Sequence, residues 1–252
     1  MASCRGLTHS IPKTAPVAPY LGGKRNLAKR ICALIDADGH RTYAEPFVGM
    51  GGIFLRRTRQ PRAEVINDYS RDVANLFRIL QRHYPQFLDH LRFQLTTRVE
   101  FQRLLDTDPA TLTDMERAAR FLYLQRTAFG GKVSGRNFGV SKDRPARFNL
   151  TTLEPMLEDL HSRLSGVVIE CLDFGDFIPR YDSRKSLFYL DPPYWGCEND
   201  YGKEVFTRAD FTRLADVLSV IKGRFIMSLG NLCKFPFSPS SRRGGRFFAC
   251  PA

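Results

Sequence analysis

An α/β fold interrupted by a block of helices is predicted by three stretches of this 252-residue chain. The short strand pattern Thr42-Tyr43-Ala44-Glu45 runs into a glycine turn, Gly49-Met50-Gly51-Gly52. A second strand pattern, Glu64-Val65-Ile66-Asn67, ends in Asp68, 19 residues after Gly49. The buried-strand run Leu187-Phe188-Tyr189-Leu190 ends in Asp191-Pro192-Pro193-Tyr194. Open α/β sheets bind ligands at the carboxyl ends of their strands, so all three exits should face one site.

Composition narrows the class. At 43% apolar residues the chain can fill a real core. A formal charge of +12 favours a polyanionic partner such as nucleic acid. The six cysteines show neither a CxxC pair nor metal-ligand spacing, which fits reduced thiols and no metal. With no signal-peptide pattern and no long uncharged apolar run, the expectation is a cytoplasmic protein without a membrane partner.

Taken in order, residues 1–18 are polar and punctuated by proline, and should form an extended leader. Tyr20-Leu21-Gly22-Gly23-Lys24 then precedes a helix with Leu27, Ile31, Leu34 and Ile35 on one face. A glycine pair before a helix exposes backbone N–H groups to an anion, and Lys24 adds positive charge; a plain turn with a solvated lysine is the simpler alternative. After Glu45-Pro46-Phe47 the GxGG turn should lead into a helix from Ile53. It lacks the third glycine of a dinucleotide fingerprint, which points to a nucleoside cofactor without a pyrophosphate. Asp68 then lies close to the offset at which a carboxylate meets ribose hydroxyls, unless it caps the next helix.

From Ser70 the spacing Val73, Leu76, Phe77, Leu80 predicts an amphipathic helix. Helical patterns then recur without strands over residues 77–165, with Thr113/Glu116 and Thr151/Glu154 as helix-start signals. Between them lies a glycine-rich loop carrying Arg126, Phe129, Lys132, Arg136, Phe138 and Lys142, a composition suited to phosphate and base contacts. Strand character returns at 167–174, where Asp173 is placed to accept from an adenine amino group and Phe174 to pack on its ring, or Asp173 to cap a turn. Thr207 should cap a helix, and Arg224–Ser228 should be a strand. Residues 232–252 carry no strand or helix period and are expected to be disordered.

The chemistry at Asp191 follows from its neighbours. Two prolines remove two backbone donors and fix φ, leaving rigid carbonyl acceptors beside a carboxylate. Such acceptors suit the two hydrogens of a nucleobase amine, whose lone pair is otherwise delocalised into the ring. Tyr194 would stack on the base, which must first be swung out of its duplex. A tight Asp-Pro turn is the bland alternative.

In this order the motifs GGK, EPFVGMGG, NDYS, a DF exit and DPPY resemble the Dam-like, class D12 DNA adenine N6-methyltransferases over residues 19–231. The resemblance implies a Rossmann-like methyltransferase sheet formed by residues 19–76 and 166–231, with a DNA-recognition insertion at 77–165. It implies S-adenosyl-L-methionine as cofactor, held by Tyr20, Lys24, Glu45, Pro46, Phe47, Gly49, Gly51, Asp68, Asp173 and Phe174. It implies catalysis by Asp191, Pro192, Pro193 and Tyr194, and contacts to double-stranded DNA from Arg126, Lys132, Arg136 and Lys142, in a monomer. The recognition loop departs from the FNG-type sequence of well-known members, so the target sequence does not carry over. Methylation of cytosine N4 or of an rRNA base, and a catalytically impaired DNA-binding relative, are the alternatives.

Overall fold

The computed structural model describes residues 9–20, 22–140, 142–143, 145–194, 206–229 and 245–249. A short strand β1 (His9–Ser10) precedes helix α1 (Ala28–Asp36), strand β2 (Thr42–Glu45), β3 (Arg59–Gln60) and β4 (Ala63–Asn67). Helices α2 (Arg71–Arg82), α3 (Tyr84–Leu91), α4 (Arg98–Asp106), α5 (Asp114–Thr127) and α6 (Leu150–Leu164) follow. The chain then returns to β5 (Val168–Glu170), α7 (Phe174–Tyr181), β6 (Ser186–Leu190), α8 (Arg208–Val220), β7 (Arg224–Leu229) and β8 (Gly245–Ala249).

Six strands form one parallel sheet in the order β5-β4-β2-β6-β7-β8. The order reverses direction between β2 and β6, which is where such sheets open a crevice at their carboxyl ends. All five residues of β6 are buried, as its uninterrupted apolar run requires of a central strand.

Alternation along the strands divides the core in two. Tyr43, Ile66, Leu187, Tyr189 and Ile226 face one side, in the same apolar cluster as Leu76 and Phe77 of α2 and Leu157 and Leu160 of α6. Ala44, Val65, Phe188, Leu190 and Met227 face the other, with Phe177 of α7 and Leu214 of α8. Burying each of these large side chains contributes about 1.5–3 kcal/mol. Helices α2 to α6 add no strand to the sheet, yet α2 and α6 share its core. They are therefore energetically continuous with the sheet.

Several sequence expectations need correction. No helix follows Ile53; a single 3-10 turn, Phe54–Arg56, ends where Arg57 turns extended at φ −69° and ψ 145°. Arg57 is drawn inward, its guanidinium 2.7 Å from Glu64 and 3.8 Å from the Tyr43 ring, and this buried anchor overrides helix continuation. Glu64 also receives Arg163 at 2.7 Å, so one carboxylate joins β4, the turn and α6. Helix α6 is capped by Asn149, which accepts from the Thr151 amide at 3.0 Å, two residues before the expected Thr151. The Thr113/Glu116 capping box is present, as is one at Thr207/Asp210.

The described part of the leader is tied down rather than loose. β1 pairs antiparallel with β3, and Val17 and Ala18 are buried. Within the segment expected to lack structure, Gly245–Ala249 extends the sheet beside β7, because a parallel partner supplies a ladder that no local period announces. The rest of 232–252 lies outside the described residues. No described helix is long and apolar enough to cross a membrane.

Candidate active site

A cavity of 880 Å³ opens at the carboxyl ends of β2, β4 and β6, at the reversal of strand order. That volume suits a nucleoside-sized ligand with room for a second group. Its wall is built from the exits of these strands and of β5.

At the exit of β2, Tyr43 donates from its hydroxyl to Glu45 Oε2 at 2.8 Å. Glu45 is only 2% exposed yet reaches the cavity wall. Burial pushes its carboxyl up to about 8, helped by the nearby Asp191 charge and opposed by the Tyr43 hydrogen bond. It therefore carries a proton at neutral pH. Gly49, at φ 51°, packs so closely under Tyr20 that a Cβ would lie 3.0 Å from its ring. Pro46 and Phe47 also line the cavity, and the Gly51 amide donates to Val48 O at 2.8 Å, closing the turn.

At the exit of β4, Asp68 braces that turn. Its Oδ2 accepts from the Gly49 amide at 2.8 Å and its Oδ1 from the Ser70 amide at 2.9 Å. Burial pushes its carboxyl up to about 6, against these two backbone donors. Asn67, which the sequence offered with Asp68 as a helix cap, instead ties three segments together: its Nδ2 donates to Pro46 O and Leu172 O, and its Oδ1 accepts from the Leu172 amide.

Asp173 caps α7 through the Gly175 amide at 2.7 Å and pairs with Arg213. The capping alternative is therefore realised, while the residue still lines the cavity. Arg213 lies 4.2 Å from the Phe174 ring centroid, and Phe47, Phe174 and Phe206 form an aromatic corner with centroids 5.8–5.9 Å apart. Nothing in the local sequence patterns of Phe206 and Arg213 separates them from core and surface positions.

At the exit of β6, Asp191 holds two partners. Its Oδ2 lies 2.8 Å from Lys24 Nζ and its Oδ1 accepts from the Ser228 hydroxyl at 2.7 Å. Burial raises the Asp191 carboxyl above its usual range, opposed by Lys24 and Ser228. Lys24 is buried, donates also to Gly22 O at 2.7 Å, and sits 4.7 Å from the Tyr194 ring centroid. Pro193 lines the cavity and Pro192 is buried behind it. Lys24 thus joins the Asp191 centre rather than standing free as positive charge before α1. Among the described residues, no group of three His, Cys, Asp or Glu side chains is placed to hold a metal.

The chain carrying these strand exits matches a known family. The D12 class N6 adenine-specific DNA methyltransferase family matches residues 20–234. The chain belongs to that family. It is 24% identical over 217 residues to the Type II methyltransferase M.CviBI of Paramecium bursaria Chlorella virus NC1A, covering 85% of this chain and 82% of that one. To the Type II methyltransferase M1.LlaDCHI of Lactococcus lactis subsp. cremoris it is 28% identical over 230 residues, covering 84% and 79%. To the DNA N-6-adenine-methyltransferase of Escherichia phage P1 it is 30% identical over 207 residues, covering 76% of this chain and 26% of the phage protein.

The glycine-rich loop of this family member is docked beside the cavity. Gln125 Nε2 donates to Pro19 O and Gly131 O, and a Cβ on Gly131, at φ 68°, would lie 3.0 Å from the Pro19 carbonyl carbon. Arg126 turns inward, donating to Arg147 O at 3.0 Å and to Val17 O, and lines the cavity. Arg136 donates to Lys132 O and Gln125 Oε1. Both arginines are struts of the loop. Lys132, Lys142 and Phe129 are exposed.

Proposed function

We propose that this chain transfers a methyl group from S-adenosyl-L-methionine to the N6 amino group of adenine in duplex DNA, with the adenine swung out of the helix into the cavity beside Asp191. The observation that carries this reading is the Asp191 carboxylate, fixed by Lys24 and Ser228 on the wall of an 880 Å³ cavity at the reversal of strand order, in a chain of this family.

The residues present fit the cofactor's chemistry. Glu45, a buried carboxyl raised to about 8 at the cavity wall, would ionise against a methionine ammonium. The Phe47, Phe174 and Phe206 corner offers an apolar face for the cofactor's adenine. Asp68 and Asp173 line the same cavity and would meet polar groups of the cofactor, although both are partly spent on bracing their own loops. Tyr20, Pro46, Gly49 and Gly51 shape the turn around it, and the ammonium of Lys24 opposes the upward push of burial on the Asp191 carboxyl. When bound, the cofactor supplies an electrophilic methyl on a sulfonium whose departure leaves a neutral thioether.

Asp191 and the Pro192 carbonyl then hold the two amino hydrogens of the target, directing the nitrogen lone pair outward. As the nitrogen–carbon bond forms, one amino proton leaves through Asp191 toward solvent. Pro192 and Pro193 keep both acceptors rigid, so no reorganisation accompanies the step. Tyr194 stacks on the base. Holding donor and acceptor in line provides the rest of the rate gain.

Exposed Lys132 and Lys142 contact DNA phosphates, while Arg126 and Arg136 hold the loop that presents them. Helices α2 to α6 carry this recognition loop. By analogy with the Type II relatives, the setting is DNA modification paired with restriction. The protein acts as a cytoplasmic monomer.

The test is incubation of the purified protein with unmethylated duplex DNA and methyl-labelled cofactor, followed by nucleoside mass spectrometry. N6-methyladenine alone is expected. Label in N4-methylcytosine, or in RNA in preference to DNA, would overturn the reading.

A further inference from the structure

Ser228 lies outside the sequence motifs, and beyond its contact with Asp191 the reaction scheme gives it no part. It is fully buried on β7, a central strand hydrogen-bonded on both sides. Leu190 pairs with Met227, so the next register position sets Asp191 beside Ser228. Tyr189 and Asp191 lie two apart on one face of β6, and Ser228 shares that face on β7. The sheet thus lines up three polar groups: the Tyr189 hydroxyl lies 3.0 Å from Ser228 Oγ, and Ser228 Oγ lies 2.7 Å from Asp191 Oδ1.

Proton directions along this row are fixed by chemistry. An ionised Asp191 only accepts, so the single Ser228 proton points at Oδ1. Ser228 Oγ can then only accept from Tyr189, whose hydroxyl keeps its proton because burial, above all, raises it well beyond its ordinary value. A hydroxyl placed by a strand ladder, and itself oriented by a second hydroxyl, cannot rotate away from the carboxylate. Lys24, by contrast, reaches Oδ2 on a flexible stem.

We propose that Ser228, oriented by Tyr189, is a positioning residue for methyl transfer: it locks one Asp191 oxygen against the sheet so that the carboxylate presents its remaining lone pairs to the target amine. This rests on the reading of Asp191 as acceptor for that amine. The titratable groups facing Asp191 are the cationic Lys24 from the segment before α1 and the protonated Glu45 from β2; Tyr189 and Ser228 complete its surroundings, with Tyr194 behind Lys24.

The experiment compares the full-length chain with Ser228→Ala, Ser228→Thr, Tyr189→Phe and Asp191→Asn. A hydrogen bond to a charged group corresponds to a loss on the order of ten- to a hundredfold in kcat for Ser228→Ala. KM for cofactor and DNA should stay within about threefold. Ser228→Thr, which keeps the hydroxyl and suits a strand, should recover most of kcat, and Tyr189→Phe should fall between. Since the Ser228 hydrogen bond holds the Asp191 carboxyl down, its removal should move the acid limb of the kcat–pH profile to higher pH, a change that loosened packing would not produce. A Ser228→Ala enzyme with unchanged kcat and an unmoved acid limb, beside an inactive Asp191→Asn, would overturn this inference alone. Full activity of Asp191→Asn would instead overturn the reading on which it rests.

Discussion

The ammonium of Lys24 lies 2.8 Å from Asp191 Oδ2, and both groups are largely withdrawn from solvent. The pair links the glycine turn before α1 to the exit of β6, segments far apart in sequence. Breaking such a pair from one side leaves an uncompensated charge. Lys24→Met should destabilise the protein on the order of 3 kcal/mol in urea unfolding. It should also shift the acid limb of methylation to higher pH, because Lys24 lowers the Asp191 carboxyl. Unchanged unfolding together with an unchanged pH profile would show that the pair has no such role.

Glu45 gives a prediction of opposite sign from the usual carboxylate. Its folded-state value of about 8 lies above its ordinary 4.5, so between those limits the folded protein binds a proton that the unfolded chain releases. Stability of the unliganded protein should fall as pH rises through that window, by at most about 1.4 kcal/mol per pH unit from this group. Glu45→Gln should flatten the melting temperature between pH 5 and 8. An equal slope in the variant would contradict the assignment.

Beneath the sheet, Glu64 receives Arg57 and Arg163, each at 2.7 Å, with all three side chains buried. Glu64→Ala leaves two guanidinium groups without a counter-charge. The expected cost is about 3–5 kcal/mol in chemical denaturation. A loss under about 1 kcal/mol would mean that water or a rearranged Arg57 compensates.

The glycine-rich loop carries two kinds of cation, exposed Lys132 and Lys142 and inward-turned Arg126 and Arg136. Lys132→Ala and Lys142→Ala should each reduce the slope of log affinity for DNA against log salt by about 1. Arg126→Ala, whose guanidinium is spent on Val17 and Arg147 carbonyls, should instead lower the melting temperature and leave the slope nearly unchanged. Reversal of these two behaviours in filter-binding titrations would relocate the DNA face.

How much of this was legible in the sequence depends on the range of the interaction. The strand at 187–190, helix α2 and the Thr113 cap are local patterns, and they stand where their periodicity placed them. The glycine turn and Asp68 likewise meet across 19 residues, an offset the βα architecture itself sets. The helix expected after Ile53 failed because Arg57 answers to Glu64 and Arg163, a tertiary demand invisible in its window. Strand β8 is held by its neighbour, and its own residues announce no period. Ser228 was within reach: a hydroxyl closing the apolar run Phe225-Ile226-Met227 is a polar group buried at a strand exit. Arg126 could not be read, since a cation in a loop looks the same whether it faces phosphate or backbone carbonyls.

The proposed reaction turns on Asp191 as the acceptor that holds the target amine. Asp191→Asn keeps the shape while replacing one acceptor oxygen with an N–H donor that repels amino hydrogens. Calorimetry should find S-adenosyl-L-methionine bound within a few-fold of the parent, while methyl transfer to duplex DNA falls on the order of a hundred- to a thousandfold. Transfer at the parent rate with cofactor bound would contradict the claim.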